Sequence, residues 1–129
     1  MVIDTSVIVA ILLDETERER FVAAIDAAPV RLVSAVSLVE ATMVVEGRKG
    51  ASAERMVDRF VEEGEVEIVP VSVAQARLAC EAFRAYGKRR HPASLNLGDC
   101  FTYALAKATG EPLLFKGDDF GRTDLPSTT

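Results

Sequence analysis

The chain alternates short apolar runs with longer stretches of helical spacing from one end to the other. The apolar runs are Val2-Ile3, Val30 to Ser34, Val66 to Val69 and Pro112 to Phe115. Neighbouring parallel strands need crossover connections of a dozen residues or more, and the stretches between these runs are long enough to provide them. The order therefore predicts βαβ units, with a parallel sheet covered by helices on both faces.

Helical periodicity and capping signals predict the helices between those runs. They are expected at Val7 to Leu13, Glu15 to Ala28, Val36 to Gly47, Ala51 to Glu63, Val73 to Tyr86 and Leu97 to Ala108. The third helix carries an apolar face that also includes Glu40, so Glu40 is expected to point toward the core. The apolar members of that face are Val36, Val39, Met43 and Val44.

The 129 residues, 49% of them hydrophobic, suffice for one core, and we expect a single domain over residues 1–129. No apolar run approaches the roughly 18 to 20 residues that cross a bilayer, and the start of the chain lacks the features of a secretory signal. The only cysteines, Cys80 and Cys100, lie in helical patterns. We expect free thiols in a reducing, cytoplasmic setting without membrane contact.

The net charge of −5 argues against a protein that holds nucleic acid through a broad basic surface. Phosphate groups are contacted chiefly by Lys and Arg, and such a surface would give a positive balance. A cluster of acids would change this conclusion, because bound dications invert the local field and attract phosphate. Net charge alone therefore neither supports nor excludes a protein that binds nucleic acid.

Two acids follow predicted strands closely. Asp4 comes after the first strand and Asp118 after the last. Ligands of open parallel sheets bind at the carboxyl ends of the strands, so both acids are expected at one edge. The alternatives are local: Asp4 can simply cap a helix, and Asp118 can be a turn residue beside Gly117.

Two further acids lie on helices. A carboxylate at Glu40, on an apolar face, costs several kcal/mol unless a cation or hydrogen bonds compensate, and a salt bridge to Arg or Lys is the simple alternative. Asp99 lies in the first turn of a helix that is apolar on nearly every side. There its alternative role is to cap the helix with Asn96 and to suit the helix dipole.

Four converging carboxylates would repel one another by about 3 kcal/mol per pair at about 5 Å and an effective dielectric near 20. A cation must therefore lie among them. Carboxylate oxygens suit Mg²⁺ or Mn²⁺, whereas one histidine and two cysteines are placed poorly for zinc. Such ions can bind a phosphodiester and activate water, so the set predicts metal-dependent hydrolysis.

Four segments in this order resemble a known family: Val2-Ile3-Asp4-Thr5-Ser6, the helical Glu40, Asn96-Leu97-Gly98-Asp99-Cys100 and Lys116-Gly117-Asp118-Asp119-Phe120. Together they are similar to the PIN domain, and most closely to the VapC-type toxins of bacterial toxin–antitoxin pairs. The resemblance covers essentially the whole chain. It implies a three-layer α/β/α fold with a central, mainly parallel sheet of four or five strands.

The resemblance also implies an activity and partners. The activity is that of a Mg²⁺- or Mn²⁺-dependent endoribonuclease toxin of a type II pair, which hydrolyses RNA, forms a homodimer and is inhibited by a small antitoxin protein. By the same resemblance Asp4, Glu40 and Asp99 match the three main metal-binding acids. The fourth is Asp118 or Asp119, and Asp118 is favoured.

Some polar neighbours have secondary roles in this interpretation. Thr5 and Ser6 can hydrogen-bond a carboxylate or water at the site, or only cap the helix. Lys88, Arg89 and Arg90 can hold substrate phosphates, or form only a solvated loop. His91 is left out, because metal-activated water needs no histidine base.

Two other classes of protein compete with the nuclease. A phosphoaccepting receiver domain also has a parallel sheet with acids and a lysine at strand ends, and Lys116 would fit it. However, the first strand carries one acid where that class has a pair, and Ser34 and Val69 are not followed by an acceptor Asp. A catalytically inactive interaction module is disfavoured by the presence of all four acids. The sequence identifies neither the RNA nor the cleavage site.

Overall fold

The strands of the central sheet are short and all parallel. The computed structural model describes residues 1–117 and 120–125. Within them the strands are β1 (Val2–Ile3), β2 (Leu32–Ser34), β3 (Glu67–Val69) and β4 (Leu113–Leu114). They form one sheet in the order β3-β2-β1-β4, with every pairing parallel. The predicted parallel sheet of four or five strands is confirmed.

The helices lie where periodicity predicted them, with ends that move by a few residues. They are α1 (Thr5–Leu12), α2 (Arg18–Ala27), α3 (Ala35–Lys49), α4 (Met56–Glu63), α5 (Val73–Tyr86) and α6 (Leu97–Thr109). The predicted helix from Ala51 to Glu63 is divided, because Ala51–Ala53 forms a 3₁₀ turn with shorter backbone hydrogen-bonded rings before α4 begins.

Side chains of the strands alternate between two apolar cores. Ile3, Val33 and Leu114 pack with α1 to α4 on one face. On the opposite face Val2, Leu32 and Leu113 pack with α5 and α6. This alternation is the period of two that an extended strand imposes, and it produces the three-layer α/β/α arrangement.

The predicted orientation of α3 is wrong. Ser37, Ala41 and Val45 face the core and are fully buried, whereas Val39 is 58% and Met43 70% exposed. α3 contacts both α1 and α6, and small side chains such as Ser37 and Ala41 let helices approach closely. The apolar stripe that contains Glu40 consequently lies at the surface.

The strand order creates a crevice beside β1. The chain passes from β1 to β2 to β3 on one side and returns to the other side of β1 for β4. In open α/β sheets, ligands bind at the carboxyl ends of the strands where the order reverses in this way. Asp4 and Lys116 lie there, since the Asp4 amide donates to the Leu114 carbonyl (3.1 Å) and the Lys116 amide to Ser6 Oγ (2.9 Å).

Cys80 and Cys100 are free thiols, as predicted. Cys80 is exposed, whereas burial, with smaller effects from Asp99 and Cys80, raises the pKa of Cys100 to about 11. No helix in the described ranges has the length and apolar character needed to cross a membrane.

Candidate active site

Asp4 is a buried carboxylate with three hydrogen bonds. The residue is 3% exposed. Oδ2 accepts from the Ser6 amide (3.1 Å) and the Ser6 hydroxyl (2.7 Å), and Oδ1 accepts from the Thr102 hydroxyl (2.8 Å). Asp4 therefore caps α1, as its alternative role required, and it also accepts a hydrogen bond from α6 that capping does not account for.

Two hydroxyl residues that the sequence interpretation missed lie behind Asp4. Ser37 Oγ is 3.1 Å from Thr102 Oγ1, and the Thr5 hydroxyl donates to the Ser37 carbonyl at 3.4 Å. Ser37 precedes Glu40 by three residues and Thr102 follows Asp99 by three. Residues three apart share a helix face, so this spacing from a candidate acid is the signal that could have identified them.

Glu40 lies half-buried on α3 with its carboxylate against the first turn of α6. A Cβ atom added at Gly98 would overlap both of its carboxylate oxygens. Among the described residues no Lys or Arg forms an ion pair with Glu40 or with Asp4, so the predicted salt-bridge alternative is not found there. The helix N-terminus beside the carboxylate is a favourable environment for negative charge.

Asp99 makes the capping contacts that local rules predicted. Its amide donates to the Asn96 side-chain oxygen (2.9 Å), and its Oδ2 accepts from the Asn96 amide (3.0 Å), which completes a capping box. A carboxylate offers about four acceptor positions, so a capping bond leaves capacity for other ligands. Capping and metal binding are therefore compatible roles for this side chain.

The first two turns of α6 link the three acids. Gly98 contacts Glu40, Asp99 follows it, and Thr102 one turn later holds Asp4. Within residues 1–117 and 120–125, however, no three His, Cys, Asp or Glu side chains are grouped closely enough to hold a metal ion. Joint metal binding by these acids remains a prediction. All three acids offer carboxylate oxygens, which suit Mg²⁺ or Mn²⁺. Because Gly98 has no side chain, the Glu40 carboxylate has room beside it.

The fourth acid, Asp118 or Asp119, lies outside the described residues. The neighbouring residues on each side are anchored. Lys116 forms ion pairs with Glu15 (2.7 Å) and Glu17 (3.6 Å), and these contacts raise its pKa. Phe120 packs on Phe115 with 5.2 Å between ring centroids.

The basic segment, residues Lys88 to Arg90, borders a groove of about 650 Å³ between α5 and α6. Lys88 and Arg90 line it together with Arg84, and the Arg90 guanidinium lies 4.9 Å from the centre of the Phe83 ring. Arg89 lies in the adjoining turn with a φ of 68°. His91 accepts from the Ala93 amide (3.0 Å) and packs edge-on against Tyr86, contacts that suit a structural residue.

A second groove, of about 540 Å³, runs along the exposed face of α3 and includes Glu40 in its wall. Its other walls are apolar: Val36, Val39, Met43 and Val44 from α3, with Ala35 and the α6 residues Leu97 and Gly98. Leu97 is 74% exposed and borders both this groove and the basic one. An apolar surface and a basic surface thus meet beside the acids.

Residues 1–125 match the family described as the PIN domain. The chain belongs to the PIN-domain family. It is 50% identical over 125 residues to Ribonuclease VapC30 of Mycobacterium tuberculosis (strain ATCC 25618 / H37Rv), which covers 97% of this chain and 95% of that relative. The receiver-domain alternative is therefore wrong, and dependence on a divalent metal is typical of this family's nucleases.

Solved structures share the fold. The crystal structure of Mycobacterium tuberculosis VapC20, a Sarcin-Ricin loop cleaving toxin, has a TM-score of 0.79 at 19% identity and covers 96% of this chain and 95% of that one. A chain of a toxin-antitoxin complex from Klebsiella pneumoniae has a TM-score of 0.70 at 18% identity, with 95% and 92% covered. At these identities the likeness shows the PIN fold alone.

Proposed function

We propose that this chain is the toxin of a toxin–antitoxin pair and acts as a metal-dependent endoribonuclease that hydrolyses phosphodiester bonds in RNA. One observation carries the proposal: Asp4, Glu40 and Asp99 lie around the first turns of α6, in a chain half identical to a ribonuclease. The acids come from three separate parts of the sequence, and helix capping accounts for only two of them.

Asp4, Glu40 and Asp99 would hold Mg²⁺ or Mn²⁺, together with Asp118 or Asp119. A bound ion would supply Lewis acidity toward a phosphate and would make water a stronger nucleophile. Ser6 orients Asp4 through two hydrogen bonds, and Thr5 is bound to the Ser37 carbonyl of α3. The two Ser6 bonds fix the Asp4 carboxylate before substrate arrives, so little reorganisation is needed at the reaction.

The groove between α5 and α6 supplies the binding site for RNA in this proposal. Lys88, Arg90 and Arg84 line it, and Arg89 is adjacent, so the segment offers cations to phosphate oxygens. Phe83 and Leu97 are exposed nearby and provide apolar surface for unpaired bases. We therefore infer a single-stranded or looped RNA as substrate.

The first prediction concerns the metal. Purified chain, freed of any bound protein, is expected to cleave looped RNA with Mg²⁺ or Mn²⁺, to stop when a chelator is added, and to resume when metal is restored. Gel analysis of an end-labelled RNA measures each step. Cleavage that continues unchanged in chelator would exclude a metal mechanism, and folded, metal-supplied protein that cuts no RNA would exclude the nuclease.

The apolar groove along α3 is proposed as the docking site for the antitoxin. Its floor is apolar, yet Glu40 lies in its wall and Asp99 follows Gly98 at its end. A partner segment with apolar side chains and a neighbouring Lys or Arg is complementary to this combination. Such a segment would place its cation among the acids and block the site.

The isolated chain is proposed to be a homodimer, with a light-scattering mass about twice 13.9 kDa. A monomeric mass would contradict this.

The second prediction tests the docking site. Met43→Asp is expected to weaken binding of the cognate antitoxin at least about tenfold, since a charge is desolvated in the interface. Calorimetric titration provides the affinity. Val73→Asp is the matched control, because Val73 is 72% exposed but lies outside the groove lining. Equal affinities for both variants would place the antitoxin elsewhere.

A further inference from the structure

Thr102 uses its hydroxyl differently from Thr42 and Thr109, the other threonines that lie beyond the first turn of an α-helix in the described residues. Thr42 and Thr109 donate to carbonyls four residues back in their own helices, at 2.9 and 2.8 Å. Thr102 is fully buried and donates instead to Asp4 Oδ1, 98 residues away in sequence. A threonine hydroxyl inside a helix can always donate to the carbonyl four residues back. The hydrogen bond from Thr102 to a distant carboxylate therefore requires an explanation.

The direction of the hydrogen bonds follows from proton count. A threonine hydroxyl has one hydrogen, and an ionised carboxylate can only accept, so the Thr102 hydrogen points to Asp4. Ser37 must then donate to Thr102 Oγ1 across their 3.1 Å separation. Ser37, Thr102 and Asp4 form a one-way chain, and hydrogen bonds in such chains strengthen one another where water is excluded.

The chain of hydroxyls connects the helices that carry the candidate acids. Ser37 lies one turn before Glu40 on α3, and Thr102 lies one turn after Asp99 on α6. The β-branched Thr102 side chain has few rotamers in a helix, so the position of α6 fixes the position of its hydroxyl. A shift of α6 against α1 would break the bond to Asp4.

We propose that Thr102, supported by Ser37, is a positioning residue that sets the orientation of the Asp4 carboxylate for a divalent cation and holds it in register with Asp99. The inference rests on the proposed metal-dependent function. Thr102 itself binds no metal or substrate in this scheme. It acts on the carboxylate from behind, as residues that hydrogen-bond metal ligands do in other metal sites.

The test compares two substitutions of Thr102. Thr102→Val keeps the shape and removes the hydroxyl, and is expected to weaken Mn²⁺ binding roughly 10- to 100-fold. Thr102→Ser keeps the hydroxyl and is expected to restore affinity to within a few-fold of the original protein. Mn²⁺ affinity is measured by electron paramagnetic resonance without RNA, so the result does not depend on catalysis.

Two further variants keep the inference open to contradiction. Thr42→Val removes a helical hydroxyl that bonds within α3, and should leave Mn²⁺ affinity unchanged. If Thr102→Val does not fold, Ser37→Ala replaces it, with a smaller loss of affinity expected because one step of the chain remains. Wild-type affinity in Thr102→Val or in folded Ser37→Ala would overturn the positioning role alone, whereas a wild-type chain that neither binds Mn²⁺ nor cuts RNA would overturn the proposed function as well.

Discussion

Asparagine in place of Asp99 is expected to reduce RNA cleavage at least ~100-fold, which corresponds to about 2.7 kcal/mol of lost transition-state stabilisation. The change removes one negative charge from the proposed metal site. The asparagine carbonyl can still accept from the Asn96 amide, so the capping box keeps its geometry. Single-turnover cleavage and the thermal unfolding temperature in metal-free buffer, expected to change by only a few degrees, provide the two measurements.

Asp58→Asn is the matched control for Asp99→Asn. Asp58 is also an acid in the first turn of a helix, but it is exposed and lies on α4. Both activity and stability of this variant should remain near those of the original chain. If Asp99→Asn instead unfolds readily while its remaining folded fraction cuts RNA at the normal rate, Asp99 has a capping role alone.

Alanine in place of Gly98 is expected to impair cleavage by roughly 100-fold without unfolding the chain. The added methyl group would overlap the Glu40 carboxylate, which lies at the flexible end of its side chain and can move aside. The fold therefore survives, but Glu40 leaves its position, and a displacement near 1 Å can reduce a rate by about 100-fold. Cleavage rates and circular dichroism on the same preparation separate the two effects.

Gly47→Ala shows what the same substitution does where nothing is displaced. Gly47 is exposed on α3, and among the described residues no atom lies within 4 Å of an added Cβ. Alanine there should raise stability by about 0.5 to 1 kcal/mol and leave cleavage unchanged. Equal activity of Gly98→Ala and Gly47→Ala would mean that the position of Glu40 does not matter for the reaction.

The features of the site that could be predicted from the sequence depend on local rules. Asp4 after β1 and the Asn96 to Asp99 capping box were both predicted, since a strand end and a helix start can be recognised within a few residues. The layer arrangement also followed, because alternating strand and helix patterns permit few topologies.

The features that were missed depend on contacts between distant elements. α3 carries two overlapping stripes, and periodicity gave preference to Val39 and Met43, whereas packing against α1 and α6 selected Ser37 and Ala41. Hydrophobicity alone cannot decide which stripe of α3 faces the core, because small residues are favoured where helices approach closely. The bond from Thr102 to Asp4 joins residues 98 apart in the sequence, and only the three-residue spacing of Thr102 from Asp99 sets it apart from a threonine such as Thr42.

Diffraction at the manganese absorption edge, from crystals soaked in Mn²⁺, can show whether Asp4, Glu40 and Asp99 share a divalent cation. We expect an anomalous peak bordered by carboxylate oxygens of all three residues, with Thr102 still bound to Asp4 behind it. A peak elsewhere, or Glu40 turned away and ion-paired with an arginine in the soaked crystal, would contradict this expectation.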